Sequence, residues 1–123
     1  MVTKLSRHST HPNPIKDKIT VYSGHDATLR PLLLALRLPL THWPPYASRL
    51  IFELYKPVSS KSQSEYLFKI IYNGRDVTRQ LPFCVTRIGW TYSGCALNDL
   101  INYFHNMLGG MEYVEACKYS RTF

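Results

Sequence analysis

Four consecutive residues, Ser23-Gly24-His25-Asp26, carry the types needed for chemistry on one ligand. They lie between an apolar alternating run, Lys18-Ile-Thr-Val-Tyr22, and a leucine-rich segment from Thr28 to Leu38. The first run predicts a strand over 18–23. The second predicts a helix, with Leu29, Leu32, Leu33 and Leu36 at i, i+3, i+4 and i+7 spacing. An imidazole and a carboxyl side by side at such a strand-to-helix turn can reach the same ligand. The helix N-terminus beneath them offers unpaired N–H groups and partial positive charge, which suits an anion such as phosphate. In an open α/β sheet, ligands gather at turns of this kind. The plainer alternative is that Asp26 simply caps the helix, as short acidic residues commonly do.

The elements around this turn set how it is held. Leu34 and Leu38 fall outside the main leucine stripe, so the helix is expected to be buried nearly all round. Pro31 is tolerated in a first turn, which places the N-cap near Asp26 to Thr28. A Pro- and aromatic-rich connection, 38–47, follows. Arg49 to Lys56 then alternates, with Leu50, Phe52 and Leu54 on one face. Tyr66 to Asn73 alternates again and ends at Asn73-Gly74, so the two runs predict an antiparallel pair. Val77 to Cys84 reads as a third short strand. Leu97, Leu100, Ile101, Phe104 and Leu108 mark an amphipathic helix stopped by Gly109-Gly110, and 111–123 adds a further helical turn before a basic tail.

Composition narrows the function classes. The chain has 123 residues, which allows one domain, and 45% of them are hydrophobic, as in a globular protein. Fifteen basic residues against eight acidic ones give a net charge of +7, which favours anionic partners. The basic residues are scattered, with no basic helix face and no zinc-ligand spacing, which argues against nucleic acid. The Leu32–Leu40 run is too short to cross a membrane and is interrupted by Arg37 and Pro39. Residues 1–17 are polar, read as a flexible lead-in, and hold no apolar leader core. The three cysteines, Cys84, Cys95 and Cys117, imply either reduced thiols or an absent partner.

The order Val21-Tyr-Ser-Gly-His25-Asp26-Ala-Thr28-Leu29, then Pro44-Pro-Tyr46-Ala47-Ser48, then Phe52-Glu53-Leu54-Tyr55, resembles the histidine acid phosphatases of the histidine phosphatase superfamily. Further matching residues are Tyr72-Asn-Gly74, Asp76-Val-Thr78, Phe83-Cys84, Leu108-Gly-Gly110 and Ala116-Cys117. They point toward the branch that acts on phosphorylated xylose of the proteoglycan linker.

The resemblance implies a three-layer α/β fold, of which residues 18–119 would be the C-terminal part and 120–123 a tail. That part would hold a strand–helix unit, an antiparallel strand pair and a C-terminal helix. It implies a phosphorylated sugar or other phosphomonoester as partner, no cofactor and no metal, and residence in the Golgi or secretory-pathway lumen. It gives His25 the role of phosphate ligand and transition-state stabiliser, and Asp26 that of general acid. It also implies a Cys84–Cys95 disulfide and a Cys117 whose partner lies elsewhere. The alternative that all three thiols are reduced stays open.

The family's Arg-His-Gly nucleophile segment does not occur in these 123 residues. Arg7-His8-Ser9 has Ser in place of Gly, and it stands too near His25 for a family that separates the two motifs by most of the sheet. The chain alone is therefore expected to be catalytically incomplete. The competing expectation is a non-catalytic module that binds anions or glycans.

Overall fold

The computed structural model describes residues 19–56, 66–84 and 94–119. The lead-in, the tail and Arg7-His8-Ser9 lie outside the described residues. The described chain forms helix α1 (Asp26–Ala35), strands β1 (Leu50–Tyr55), β2 (Leu67–Tyr72) and β3 (Arg75–Asp76), a 3₁₀ turn (Thr78–Gln80), strand β4 (Cys95–Ala96), and helices α2 (Leu97–Met107) and α3 (Tyr113–Tyr119). The fold is α/β, with helices packed against an antiparallel sheet.

Strand β2 is the centre of the sheet. Its whole length pairs antiparallel with β1, from Leu50 opposite Tyr72 to Tyr55 opposite Leu67. Its other edge is shared. β3 pairs with Ile71 and Tyr72, and β4 pairs with Leu67 and Phe68. Between these two short strands, Ile70 is served by the segment leaving β3. The Val77 N–H donates to the Ile70 carbonyl (2.9 Å), and the Ile70 N–H donates to Thr78 Oγ1 (2.9 Å). The Asp76 carboxylate accepts from both the Thr78 hydroxyl (2.5 Å) and the Thr78 N–H (3.0 Å). The third strand expected over Val77 to Cys84 is thus replaced. β3 ends at Asp76, and a 3₁₀ turn with a side-chain cap finishes the edge. The β2–β3 turn is Asn73-Gly74, with φ of 48° and 82°, the left-handed pair that a two-residue hairpin turn demands.

The core follows from the pleat. Phe52 and Leu54 stand opposite Ile70 and Phe68, so one sheet face is continuously apolar. Against it pack Leu33, Leu36 and Leu38 from α1 and its end, Val77 and Leu81 after β3, and Leu97 and Leu100 from α2. Tyr103 of α2 ties the two helices together, its hydroxyl donating to the Ala35 carbonyl at 2.6 Å while its ring stacks on Phe83 at 4.2 Å. The other sheet face carries Ile51, Glu53, Tyr55 and Lys69. There the Tyr55 hydroxyl bonds Glu53, a contact that raises the Tyr55 pKa.

Three expectations are corrected. Helix α1 is one-faced rather than buried all round, because Leu34 is 53% exposed; the sheet and α2 cover a single side of it. The helix also begins earlier, with His25 as N-cap, so Pro31 lies in its second turn. Finally, residues 19–23 form no strand. Ile19 and Val21 are 82% and 85% exposed, and no described strand forms a ladder with them. Alternation makes a strand only where a neighbouring edge accepts its hydrogen bonds. No helix among the described residues is long and apolar enough to cross a membrane.

Candidate functional site

His25 and Asp26 occupy the N-cap and the first residue of α1. His25 is extended, with φ −109° and ψ 171°, and its carbonyl accepts the opening helical bonds from Thr28 (2.9 Å) and Leu29 (3.1 Å). The Thr28 hydroxyl turns back toward the His25 N–H at 3.4 Å. These contacts fix the backbone and leave the imidazole and carboxyl on the exposed rim of the helix. The pair therefore stands at a helix N-terminus as expected, entered from extended chain instead of from a sheet strand.

Asp26 is oriented by two donors. Its Oδ1 accepts from the Ala27 N–H at 2.8 Å. Its Oδ2 accepts from the indole Nε1–H of Trp43 at 2.5 Å. These donors stabilise the charged carboxylate. The Trp43 bond foremost, then the Ala27 N–H, hold the Asp26 pKa below its ordinary value of 3.8; desolvation works the other way, and His25 adds a smaller lowering. Trp43 is itself covered by the Arg30 guanidinium, which lies 4.3 Å from the centre of a ring. Asp26 and Arg30 are four residues apart on α1 and so share one face.

Trp43 and Arg30 are the site residues that sequence reasoning missed. Two signals were present. The i, i+4 acid–base spacing on α1 was one. The other was a tryptophan directly before Pro44-Pro45, where its backbone is confined to extended conformations. Two further histidines lie among the described residues. His42 bonds Thr41 through Nδ1 at 2.8 Å, and His105 lies at the end of α2 beside Gly110. No cluster of ligating side chains that could hold a metal occurs among the described residues.

The structure joins Cys84 to Cys95, with Cα atoms 5.3 Å apart. Cys117 is exposed on α3 and is not in that bridge; its thiol bonds the Tyr113 hydroxyl and raises the Tyr113 pKa.

Comparison with known proteins gives one family. The family model of the Histidine phosphatase superfamily (branch 2) matches residues 1–73. The chain is 46% identical over 65 residues to 2-phosphoxylose phosphatase 1 of Rattus norvegicus, covering 53% of this chain and 13% of that protein. It is 34% identical over 109 residues to 2-phosphoxylose phosphatase 1 of Homo sapiens, covering 83% of this chain and 22% of that protein. Lysophosphatidic acid phosphatase type 6 of Homo sapiens is 37% identical over 80 residues, covering 64% of this chain and 18% of that protein. The chain thus spans only a small part of the length of these relatives. The superfamily is the one that the motifs around His25-Asp26 and Pro44-Pro45 pointed to.

Proposed function

Because the chain belongs to branch 2 of the Histidine phosphatase superfamily, we propose that His25 and Asp26 are the acid side of a phosphomonoester hydrolase site. The observation that carries this reading is the Asp26 carboxyl, exposed beside His25 at the N-terminus of α1 and oriented by a donor from outside the helix.

The chemistry follows from these groups. His25 donates a hydrogen bond to a phosphoryl oxygen and offsets the charge that builds in the transition state. The N-terminal end of the α1 dipole adds partial positive charge on the same side. A histidine of an Arg-His-Gly segment attacks phosphorus, forming an N–P bond as the ester P–O bond breaks. Protonated Asp26 gives its proton to the departing alkoxide, and the resulting carboxylate then takes a proton from the water that cleaves the phosphohistidine. No Arg-His-Gly segment occurs in these 123 residues, so the nucleophile must come from a further segment or another chain. Residues 18–119 are read as the carboxyl-terminal part of the phosphatase domain.

The substrate is read as a phosphorylated sugar. Support comes from relatives named for 2-phosphoxylose, and the proteoglycan linker in the Golgi lumen is the setting this reading gives it. The similarity to a lysophosphatidic acid phosphatase keeps lipid phosphomonoesters as the substrate to compare.

The test is hydrolysis of p-nitrophenyl phosphate. The 123-residue chain alone is expected to give no turnover. Joined to an Arg-His-Gly segment it is expected to turn over, and Asp26→Asn should lower kcat by about 10²- to 10⁴-fold. Full activity in Asp26→Asn would overturn the assignment. A second reading, anion binding without turnover, is favoured by the missing nucleophile motif. It predicts that phosphate or tungstate raises the Tm of the isolated chain and that His25→Ala abolishes the rise.

A further inference from the structure

An exposed carboxylate and an exposed indole can each be satisfied by water, so their meeting needs a cause. Trp43 is 53% exposed, and burial does not force its N–H onto Asp26. Three restraints do the work together. The backbone of Trp43 is confined by the proline that follows it. Pro44 is buried and anchors the connection. The Arg30 guanidinium, one helical turn beyond Asp26, lies over the indole at 4.3 Å and limits its rotation. The result is a relay from Arg30 to Trp43 to Asp26 Oδ2, closed between α1 and the loop that follows it.

We propose that Trp43 is a positioning residue for Asp26: its indole N–H fixes the direction of the carboxyl, and Arg30 fixes the indole. The proposal rests on the reading of Asp26 as general acid. An indole N–H can only donate, so it cannot exchange a proton with the acid it orients. It bonds the ionised carboxylate more strongly than the protonated acid. Among the described residues, His25 acts on the Asp26 charge directly, and Arg30 sits over the indole that bonds it. Trp43 therefore makes Asp26 a stronger acid and shifts the pH range of the first step downward. That step needs protonated Asp26, so kcat/KM falls as pH rises through the Asp26 pKa.

The experiment has one arm that does not depend on catalysis. In the 123-residue chain, an NMR titration follows the Asp26 carboxyl carbon and the Trp43 indole proton. Both are expected to titrate with one midpoint, and Asp26→Asn should leave the indole proton flat. Trp43→Phe keeps a ring for Arg30 and removes the N–H; it should move the Asp26 midpoint upward. Arg30→Ala should move it in the same direction by less, and it supplies the measurement if the Phe variant does not fold. An indole proton that ignores pH, or a midpoint unmoved in the variants, overturns the proposal. The kinetic arm uses the chain joined to an Arg-His-Gly segment. There Trp43→Phe should lower kcat about 10-fold and move the basic limb of kcat/KM to higher pH. If Asp26→Asn retains full activity while the NMR coupling is present, the hydrolase reading fails and the contact stands. If Asp26→Asn is inactive while Trp43→Phe shifts neither limb nor midpoint, the positioning role fails alone.

Discussion

Thr78 is the buried polar side chain of the described core, and its position explains the motif Asp76-Val-Thr78. Its hydroxyl oxygen accepts from the Ile70 N–H and its proton goes to Asp76, so a strand edge is closed without a strand. Replacing Thr78 by Val keeps the shape and leaves that N–H buried without an acceptor. We expect a loss of about 1–3 kcal/mol, read as a lower urea midpoint with an unchanged m-value. Thr78→Ser should recover much of the loss, because it keeps the oxygen. Asp26 gives the second prediction at this scale. Its pKa is depressed in the folded chain, chiefly by Trp43. Its contribution to stability is therefore full above the ordinary value of 3.8 and is lost as pH falls through the depressed value. The Tm difference between wild type and Trp43→Phe should contain a part that vanishes in strong acid and persists at neutral pH. A difference that is independent of pH would show that the indole contributes packing alone.

At the scale of elements, the two long helices end in the same way with different residues. α2 ends on Gly109, with φ 66°, its N–H bonded to the Asn106 carbonyl while the Gly110 N–H reaches that of His105. α1 ends on Arg37, with φ 55°, its N–H bonded to the Leu34 carbonyl while the Leu38 N–H reaches that of Leu33. Both are Schellman closures, and the left-handed residue is strained only where it carries a Cβ. Arg37→Gly should stabilise the chain by about 0.5–1 kcal/mol, and Gly109→Ala should destabilise it by about 1 kcal/mol. Thermal unfolding of the two variants checks both signs. The same comparison shows what could be read from sequence. The Gly109-Gly110 stop and the Asn73-Gly74 turn were legible because local residue chemistry decides them, and the β1–β2 pair because both of its partners are written as alternating runs in these residues. The end of α1 was not, because an arginine took the glycine's place and the buried Leu38 holds the closure from beyond it. The strand expected over 18–23 is absent at residues 19–23 for the converse reason: the alternation is there, but a ladder depends on a neighbour that no local pattern encodes. His25-Asp26 could be read from adjacency, whereas Trp43 reaches Asp26 only through the turn made by the whole of α1 and its connection.

Across the whole molecule, stability and the site are held by opposite ends of α1. The C-terminal end is locked to α2 by Tyr103, which stacks on Phe83 next to the disulfide. Cys95 is buried in β4, directly before α2, so the bridge fastens the segment after β3 to the strand that leads into the helix carrying Tyr103. The N-terminal end of α1 carries His25 and Asp26, and the carboxyl is restrained there by Trp43 and Arg30. Loss of the disulfide should therefore lower stability without disturbing the acid. The bridge closes a loop with a sequence separation of 11, for which chain entropy gives about 2–3 kcal/mol. The double variant Cys84→Ala, Cys95→Ala is expected to show that loss in urea unfolding. Well below its own midpoint, the Trp43 indole proton of this variant should still titrate with Asp26 at the wild-type pH. A shifted titration would mean that the two ends of α1 are coupled through the core, and that the bridge takes part in setting the strength of the acid.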